Sequence, residues 1–350
     1  MPQLITKICT DFISELDAAI GMQLPESIYV LVDDNTEQLC LPTLMLSDKL
    51  KGCHVISIAS GDENKNIQSA QQIWTYLSEN GANRKSLMIN VGGGMITDIG
   101  GFVAATFKRG IRYINVSTTL LGAVDAATGG KTGINFMGLK NEIGVFAPSE
   151  AVLIEIAFFN TLDAQNLRSG YAEMLKHALI DTKDEWNKLL KYDIEKFDLE
   201  ELRPLLISSF RIKERIVELD PHEATIRKAL NLGHTFGHAF ESWSYKTNKP
   251  ALHGYAVMWG LLCELYLSFM KLNFPKDELL KLKYLTKEYY GTLEFQCQQY
   301  ETLYELMTHD KKNETNEINF TLLADIGDVR INQTATKEEI FECFDWFREG

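Results

Sequence analysis

The sequence has no excess of positive charge. Thirty-five lysines and arginines stand against 48 aspartates and glutamates, a formal net charge of −13. That balance argues against general polyanion binding, and so against a nucleic-acid partner; any bound phosphate must meet a local cationic cluster. Paired cysteines are missing as well. Cys9, Cys40, Cys53, Cys263, Cys297 and Cys343 are scattered and form no CxxC. This speaks against a zinc ribbon or a disulfide framework and for a reducing, cytoplasmic setting. The start, "MPQLITKICTDF", lacks a charged segment followed by an apolar one, so no secretory signal is expected. No apolar run approaches the roughly 18 residues of a membrane span, so no membrane partner is expected either. Its 350 residues leave room for two domains.

The first 150 residues alternate between strand-like and helix-like segments. "SIYVLVDDN" (27–35), "CHVISIASGDENK" (53–65), "SLMINVGGG" (86–94) and "YINVSTT" (113–119) are apolar runs ending in turn formers, and "NIQSAQQIWTYLSEN" (66–80) is helical between them. Such alternation predicts a mostly parallel sheet covered by helices, with ligands bound beyond the carboxyl ends of the strands. From about residue 160 the texture becomes helical, as in "LRSGYAEMLKHALI" and "ALHGYAVMWGLLCELYLSFMKL". A strand or hairpin is expected only at "INFTLLADIG" (318–327), and "EYYGTLEFQ" (288–296) reads as a loop. The expected organisation is an α/β nucleotide-binding domain over 1–163 and a mainly α-helical metal- and substrate-binding domain over 164–350.

"MINVGGGMITDIGGFVAATFKRG" (88–110) runs strand, glycine turn, helix. Glycines allow close approach of a ligand, and the helix start offers N–H groups to an anion. The pattern is neither GxGxxG nor a Walker loop, and it fits equally a tight turn that binds nothing. Asp98 either complements the helix dipole or accepts from a ligand. Asp62 and Lys65 in "SGDENK" could hold a ribose. Thr118, Thr119, Asp125 and Lys131 share a glycine-rich stretch (116–135) in which Lys131 resembles a phosphate lysine.

His234 and His238, in "LNLGHTFGHAFE" (230–241), are spaced to share one helix face. His253 follows, and Glu173 lies in an apolar helical run where a lone carboxylate is costly. One reading is a Glu173–Lys176 pair and core histidines; the other is a divalent metal, with zinc suited to His and carboxylate. Lys176, His177, Lys213 and Arg227 accompany the set. Arg227 would lie two turns before His234 on a continuous helix. Metal and cations together suit a small, multiply anionic substrate.

These segments together, with "LKNEIGVF", resemble the 3-dehydroquinate synthase family over roughly residues 30–330. The resemblance implies NAD in the N-terminal domain and a divalent metal, zinc or cobalt, in the cleft between domains. It implies conversion of 3-deoxy-D-arabino-heptulosonate 7-phosphate to 3-dehydroquinate and orthophosphate by transient oxidation, phosphate elimination, reduction and aldol closure. Metal ligands carry over to Glu173, His234 and His253. Cofactor contacts carry over to Asp33, Asn35, Asp62, Lys65, Gly93, Gly94, Asp98, Thr118, Thr119, Lys131, Lys140, Phe158 and Thr161. Catalytic roles fall on Lys131, Lys176, Glu223 and His238, so His238 becomes a proton-transfer or hydrogen-bonding residue. Asp125, Asn141, Lys213, Arg227, Asn231 and one of Lys311 and Lys312 would bind substrate. Arg109 would serve the neighbouring subunit of a homodimer.

"EATIR" (223–227), "LNLGH" and "NFMGLKN" depart slightly from the family pattern but keep its polar residues. The rivals are cyclases acting on sedoheptulose 7-phosphate or glucose 6-phosphate, a metal-dependent polyol dehydrogenase, and a non-catalytic NAD-binding protein. Lys213, Arg227 and Asn231 favour a carboxylated substrate, and Glu173 stands where the dehydrogenases carry Asp.

Overall fold

The computed structural model describes residues 5–126, 129–137, 139–247, 249–308 and 318–349. The chain forms two compact units, Met1–Asp163 and Ala164–Gly350.

In the first unit the order is β1 (Ile5–Ile8), α1 (Phe12–Gln23), β2 (Ile28–Asp33), α2 (Asp34–Leu39), α3 (Leu41–Leu44), β3 (His54–Ile58), α4 (Ile67–Glu79), β4 (Leu87–Gly92), α5 (Gly94–Thr106), β5 (Arg112–Ser117), β6 (Lys131–Phe136), β7 (Leu139–Phe146) and β8 (Ala151–Ile154). Six strands pair in the order β1-β8-β5-β4-β2-β3, every described pairing parallel. Side chains alternate across the sheet. Val30, Val32, Ile89 and Val91 join Leu16 and Ile20 of α1 on one face. Tyr29, Leu31 and Met88 join Ile73 of α4 and Ile99 of α5 on the other. Burial on both faces explains why these strands read as continuous apolar runs. The sequence reading missed the terminal pairing of β1 with β8, because both are only four residues long. It also missed the antiparallel hairpin β6–β7, which begins inside a stretch read as a polar turn.

The strand order fixes where a ligand belongs. After β2 the chain turns outward to β3; after β4 it turns the other way to β5. The crevice beyond the adjacent ends of β2 and β4 is therefore the switch point at which doubly wound sheets bind ligands. Asp33 ends one of those strands and Gly93-Gly94 follow the other.

The second unit comprises α6 (Ala164–Asp181), α7 (Lys183–Lys191), α8 (Leu199–Leu219), a 3-10 segment (Ile226–Asn231), α9 (His234–Lys246), α10 (His253–Leu272), α11 (Lys276–Tyr289), α12 (Tyr300–Thr308), the hairpin β9 (Phe320–Asp325) and β10 (Asp328–Gln333), and α13 (Lys337–Glu349). In its aromatic core Phe240 of α9 stacks with Phe295 and Phe347, and Phe236 meets Phe344 edge-on. α10 is the one described helix long and apolar enough to cross a membrane by length and composition. Its apolar character has another cause here. It packs against α6, α9, α11, α13 and β9, and a helix enclosed on most of its surface reads as apolar on most of it.

Candidate functional site

In the first unit, Asp33 caps α2. Its carboxylate accepts from Thr36 N at 2.8 Å and from Thr36 Oγ1 at 3.0 Å, so its position is fixed by local sequence. Asn35 is exposed one residue into that helix. Gly93 caps α5 without any side-chain hydrogen bond. A Cβ on Gly93 would come within 2.9 Å of Thr119 Cγ2, so a side chain there would fill the approach to the helix start. Thr118 N donates to Gly92 O at 3.1 Å, and Thr119 Oγ1 accepts from Gly122 N at 3.0 Å.

Beside this turn lies a polar network. Lys65 Nζ meets Asp98 Oδ2 at 3.0 Å, Asn141 Oδ1 at 2.6 Å and Asp62 Oδ1 at 3.6 Å. Lys140 Nζ meets Asp62 Oδ2 at 3.2 Å, and Asn135 Nδ2 donates to the same oxygen at 2.9 Å. Burial alone would push Lys65 down, but Asp98 and Asp62 outweigh it and raise its pKa. Burial raises Asp98, against Lys65, and nearby Asp62 and Asp125 add to the rise. Asp62, Lys65, Asp98, Lys140 and Asn141, chosen from distant segments, thus meet in one cluster. Asn141, expected at the substrate, bonds Lys65. Asn135 was missed: its amide also accepts from Asn141 N at 3.0 Å, and nothing in "KTGINF" marks it off from an ordinary strand residue.

The ring of Phe158 is buried edge-on against Phe12, with centroids 5.5 Å apart, so its side chain serves the core. Thr161 Oγ1 bonds Phe158 O at 2.7 Å. Lys131 starts strand β6 rather than sitting in a glycine turn, and it is exposed; Asp125 lies in a short π-helical turn, Gly122–Ala126. Arg109 is exposed, and it and Lys108 adopt left-handed backbone conformations (φ 66° and 49°).

In the second unit three helices converge. Glu173 is fully buried on α6, and His234 and His253 are the first residues of α9 and α10. His234 Nε2 and His253 Nε2 each lie 3.5 Å from Glu173 Oε1. One donor atom from each residue falls within 4.8 Å of the others, the span of a metal site. His234 Nδ1 lies 3.1 Å from Leu232 O, and His253 Nδ1 lies 3.3 Å from Glu241 Oε2. Each Nδ1 therefore has an acceptor within reach, and with the proton held on Nδ1 each Nε2, facing Glu173, can serve as a metal donor. Burial alone would push His253 down, but the carboxylates of Glu241 and Glu173 lift its pKa to about 10. The local field thus favours a cation at this point, and the donor set suits a divalent metal.

The rival pairing for Glu173 coexists with this. Lys176 Nζ pairs with Glu173 Oε2, leaving Oε1 to the histidines. His238 shares the face, its ring centroid 5.3 Å from that of His234, but the three-residue donor group leaves it out. Spacing alone points to His238, whereas the donor geometry groups His253 with His234.

Small residues make the convergence possible. A Cβ on Gly254 would collide with the Ser169 carbonyl of α6, and one on Gly260 with the Gly233 carbonyl at the start of α9. Glu264 of α10 accepts from Gly233 N at 2.6 Å and Thr235 N at 3.0 Å, capping α9 on either side of His234.

The segment before α9 is not a continuous helix, contrary to the two-turn expectation for Arg227. Asp220 ends α8, Glu223 is left-handed (φ 59°), and a 3-10 turn carries Arg227 and Asn231 up to Gly233 (φ 81°). The Asp220 carboxylate accepts from Ala224 N, Thr225 N and Arg227 N at 3.0, 2.7 and 3.1 Å. Burial would push its carboxyl up, but these N–H groups outweigh burial and hold the pKa at about 2. Asp220 was missed, since in sequence it looks like any helix-ending aspartate. Arg227 Nη1 donates to Pro221 O at 2.6 Å, and Asn231 Nδ2 to Glu223 Oε1 at 2.7 Å. Lys213 is buried on α8, against which the 3-10 turn packs. Lys311 and Lys312 lie outside the described residues.

Comparison with known proteins gives matches along the chain. Family models described as 3-dehydroquinate synthase N-terminal and C-terminal match residues 55–169 and 170–313. The chain is 52% identical over 343 residues to 3-dehydroquinate synthase of Parabacteroides distasonis, covering 98% of this chain and 97% of that one. It is 34% identical over 325 residues to that of Clostridium tetani, covering 91% and 85%. Among solved structures, 2-epi-5-epi-valiolone synthase of Streptomyces hygroscopicus, with NAD+ and Zn2+ bound, superposes with a TM-score of 0.88 at 22% identity, covering 100% and 98%. A 2-deoxy-scyllo-inosose synthase complexed with carbaglucose-6-phosphate, NAD+ and Co2+ gives 0.83 at 20% identity, covering 99% and 96%.

Proposed function

The chain belongs to the 3-dehydroquinate synthase family, and from that premise we propose how its residues carry the family reaction. It acts as a carbon–oxygen lyase that turns 3-deoxy-D-arabino-heptulosonate 7-phosphate into 3-dehydroquinate and orthophosphate, a step of aromatic amino acid biosynthesis. The observation that carries the reading is the match of both family models, in chain order, over residues 55–313. NAD supplies a reversible hydride acceptor, and a divalent metal, zinc or cobalt, supplies a Lewis acid for the hydroxyl to be oxidised.

The first unit's residues hold the cofactor. The uncapped start of α5 would take its pyrophosphate, Asp33 and the Asp62–Lys65–Asp98 cluster would take its hydroxyl and amide groups, and Asn135 keeps Asp62 in place. Glu173, His234 and His253 hold the metal. Lys131, Lys213 and Arg227 bind the substrate's anionic groups and fix its orientation. Lys176 neutralises Glu173 and lies ready to bond a substrate oxygen. Glu223, steadied by Asn231, and His238 move protons. Asp125 and Asn231 complete the binding set, and Arg109 acts in a neighbouring subunit.

A homodimer and a cytoplasmic location complete the proposal. Phe136, Met137, Ile143, Val145 and Phe146 are exposed on β6–β7, an apolar surface that a second copy would cover. Six free cysteines suit a reducing compartment.

The test is phosphate release from the carboxylated heptulosonate phosphate with catalytic NAD, with and without a chelator, beside sedoheptulose 7-phosphate. Chelator-sensitive release from the carboxylated sugar alone, without NADH build-up, is expected. Release only from sedoheptulose 7-phosphate would overturn the substrate, and accumulating NADH would mark a dehydrogenase.

A further inference from the structure

Glu241 is buried to 1% exposure, seven residues after His234 on α9. That spacing is two helical turns, so it returns to the face that carries His234. From there its Oε2 meets Nδ1 of His253, on a different helix, at 3.3 Å. The opposite ring nitrogen of His253 lies 3.5 Å from Glu173 Oε1. The two imidazoles are thus supported differently: His234 leans on a neutral backbone carbonyl, His253 on a carboxylate. A carboxylate acceptor fixes the tautomer and makes the far nitrogen a stronger donor.

We propose that Glu241 is a positioning residue for metal retention, acting through His253. This rests on the assignment of Glu173, His234 and His253 as metal ligands. α9 then serves the centre twice, with a ligand at its first residue and the orienting carboxylate two turns on. In this role Glu241 acts on the metal through the imidazole of His253.

The experiment titrates the metal-free full-length chain with Zn2+ against a chromophoric chelator, and with Co2+ while recording its visible spectrum. Glu241→Gln keeps the shape and an acceptor oxygen but removes the charge. It should bind about 10- to 100-fold more weakly than the wild type, with an altered Co2+ spectrum. Equal affinity with an unchanged spectrum overturns the proposal. His253→Ala and the double variant complete a cycle that separates this role from a packing role. If Glu241 acts through His253, Glu241→Gln adds no further loss in the His253→Ala background. An equal additional loss there also overturns it. Should Glu173→Ala and His234→Ala bind Zn2+ as tightly as the wild type, the ligand assignment itself fails, a result distinct from either outcome for Glu241.

Discussion

Glu173 divides its two oxygens between a lysine and a pair of imidazoles, and that division is what makes it worth testing. Glu173→Gln should abolish tight metal binding and lower turnover at least about 100-fold while the chain stays folded, read as metal content and kcat on the purified protein. Asp220 offers a pH test. Its folded pKa lies at about 2, below the usual carboxylate value near 4. Its stabilising contribution is therefore present above about pH 4 and lost as pH falls through about 2. Asp220→Ala should flatten acid denaturation over that window. It should also raise KM for the sugar phosphate more than it lowers kcat, because the loop holding Glu223 and Arg227 loosens.

At the scale of elements, the close approach of α10 to α9 is the feature most open to disruption. Gly260→Ala puts a methyl group against the Gly233 carbonyl, where backbone must give way. A loss of roughly 1–3 kcal/mol is expected, as for other overpacked sites. Thermal melting would show it, and metal affinity should fall with it because His234 begins the displaced helix. Much at this scale is readable from sequence. The four apolar runs became β2, β3, β4 and β5; β2, β4 and β5 are buried on both faces and so need continuous apolar residues. β1 and β8 were not readable, since four residues carry too little pattern. The break between Arg227 and His234 was hidden too. It depends on Asp220, whose partners become neighbours only once the loop has formed.

For the whole molecule, the donor trio of Glu173, His234 and His253 shows what spacing can and cannot give. The i, i+4 rule pointed at His234 and His238, while the donor geometry groups His234 with His253, fifteen residues beyond His238 and on a different helix. Periodicity describes one helix at a time, and this trio is assembled from three. Quaternary structure is the matching prediction at this scale. Replacing Met137 and Phe146 together by Asp should shift the mass in solution from dimer toward monomer, measured by light scattering. Activity should then fall with dilution if Arg109 serves a neighbouring subunit, whereas an unchanged mass would remove β6–β7 from the interface.

Both histidines of the donor trio occupy the first position of a helix, where N–H groups lack partners within the helix and fraying begins. A bound cation would therefore pin two helix starts at once. Amide hydrogen exchange should report this directly. Protection should rise with metal in the first turns of α9 and α10, around Gly237 and Ala256, and stay flat toward Lys246 and Leu272. The ion would then govern how often these helices open, as well as what happens to the substrate.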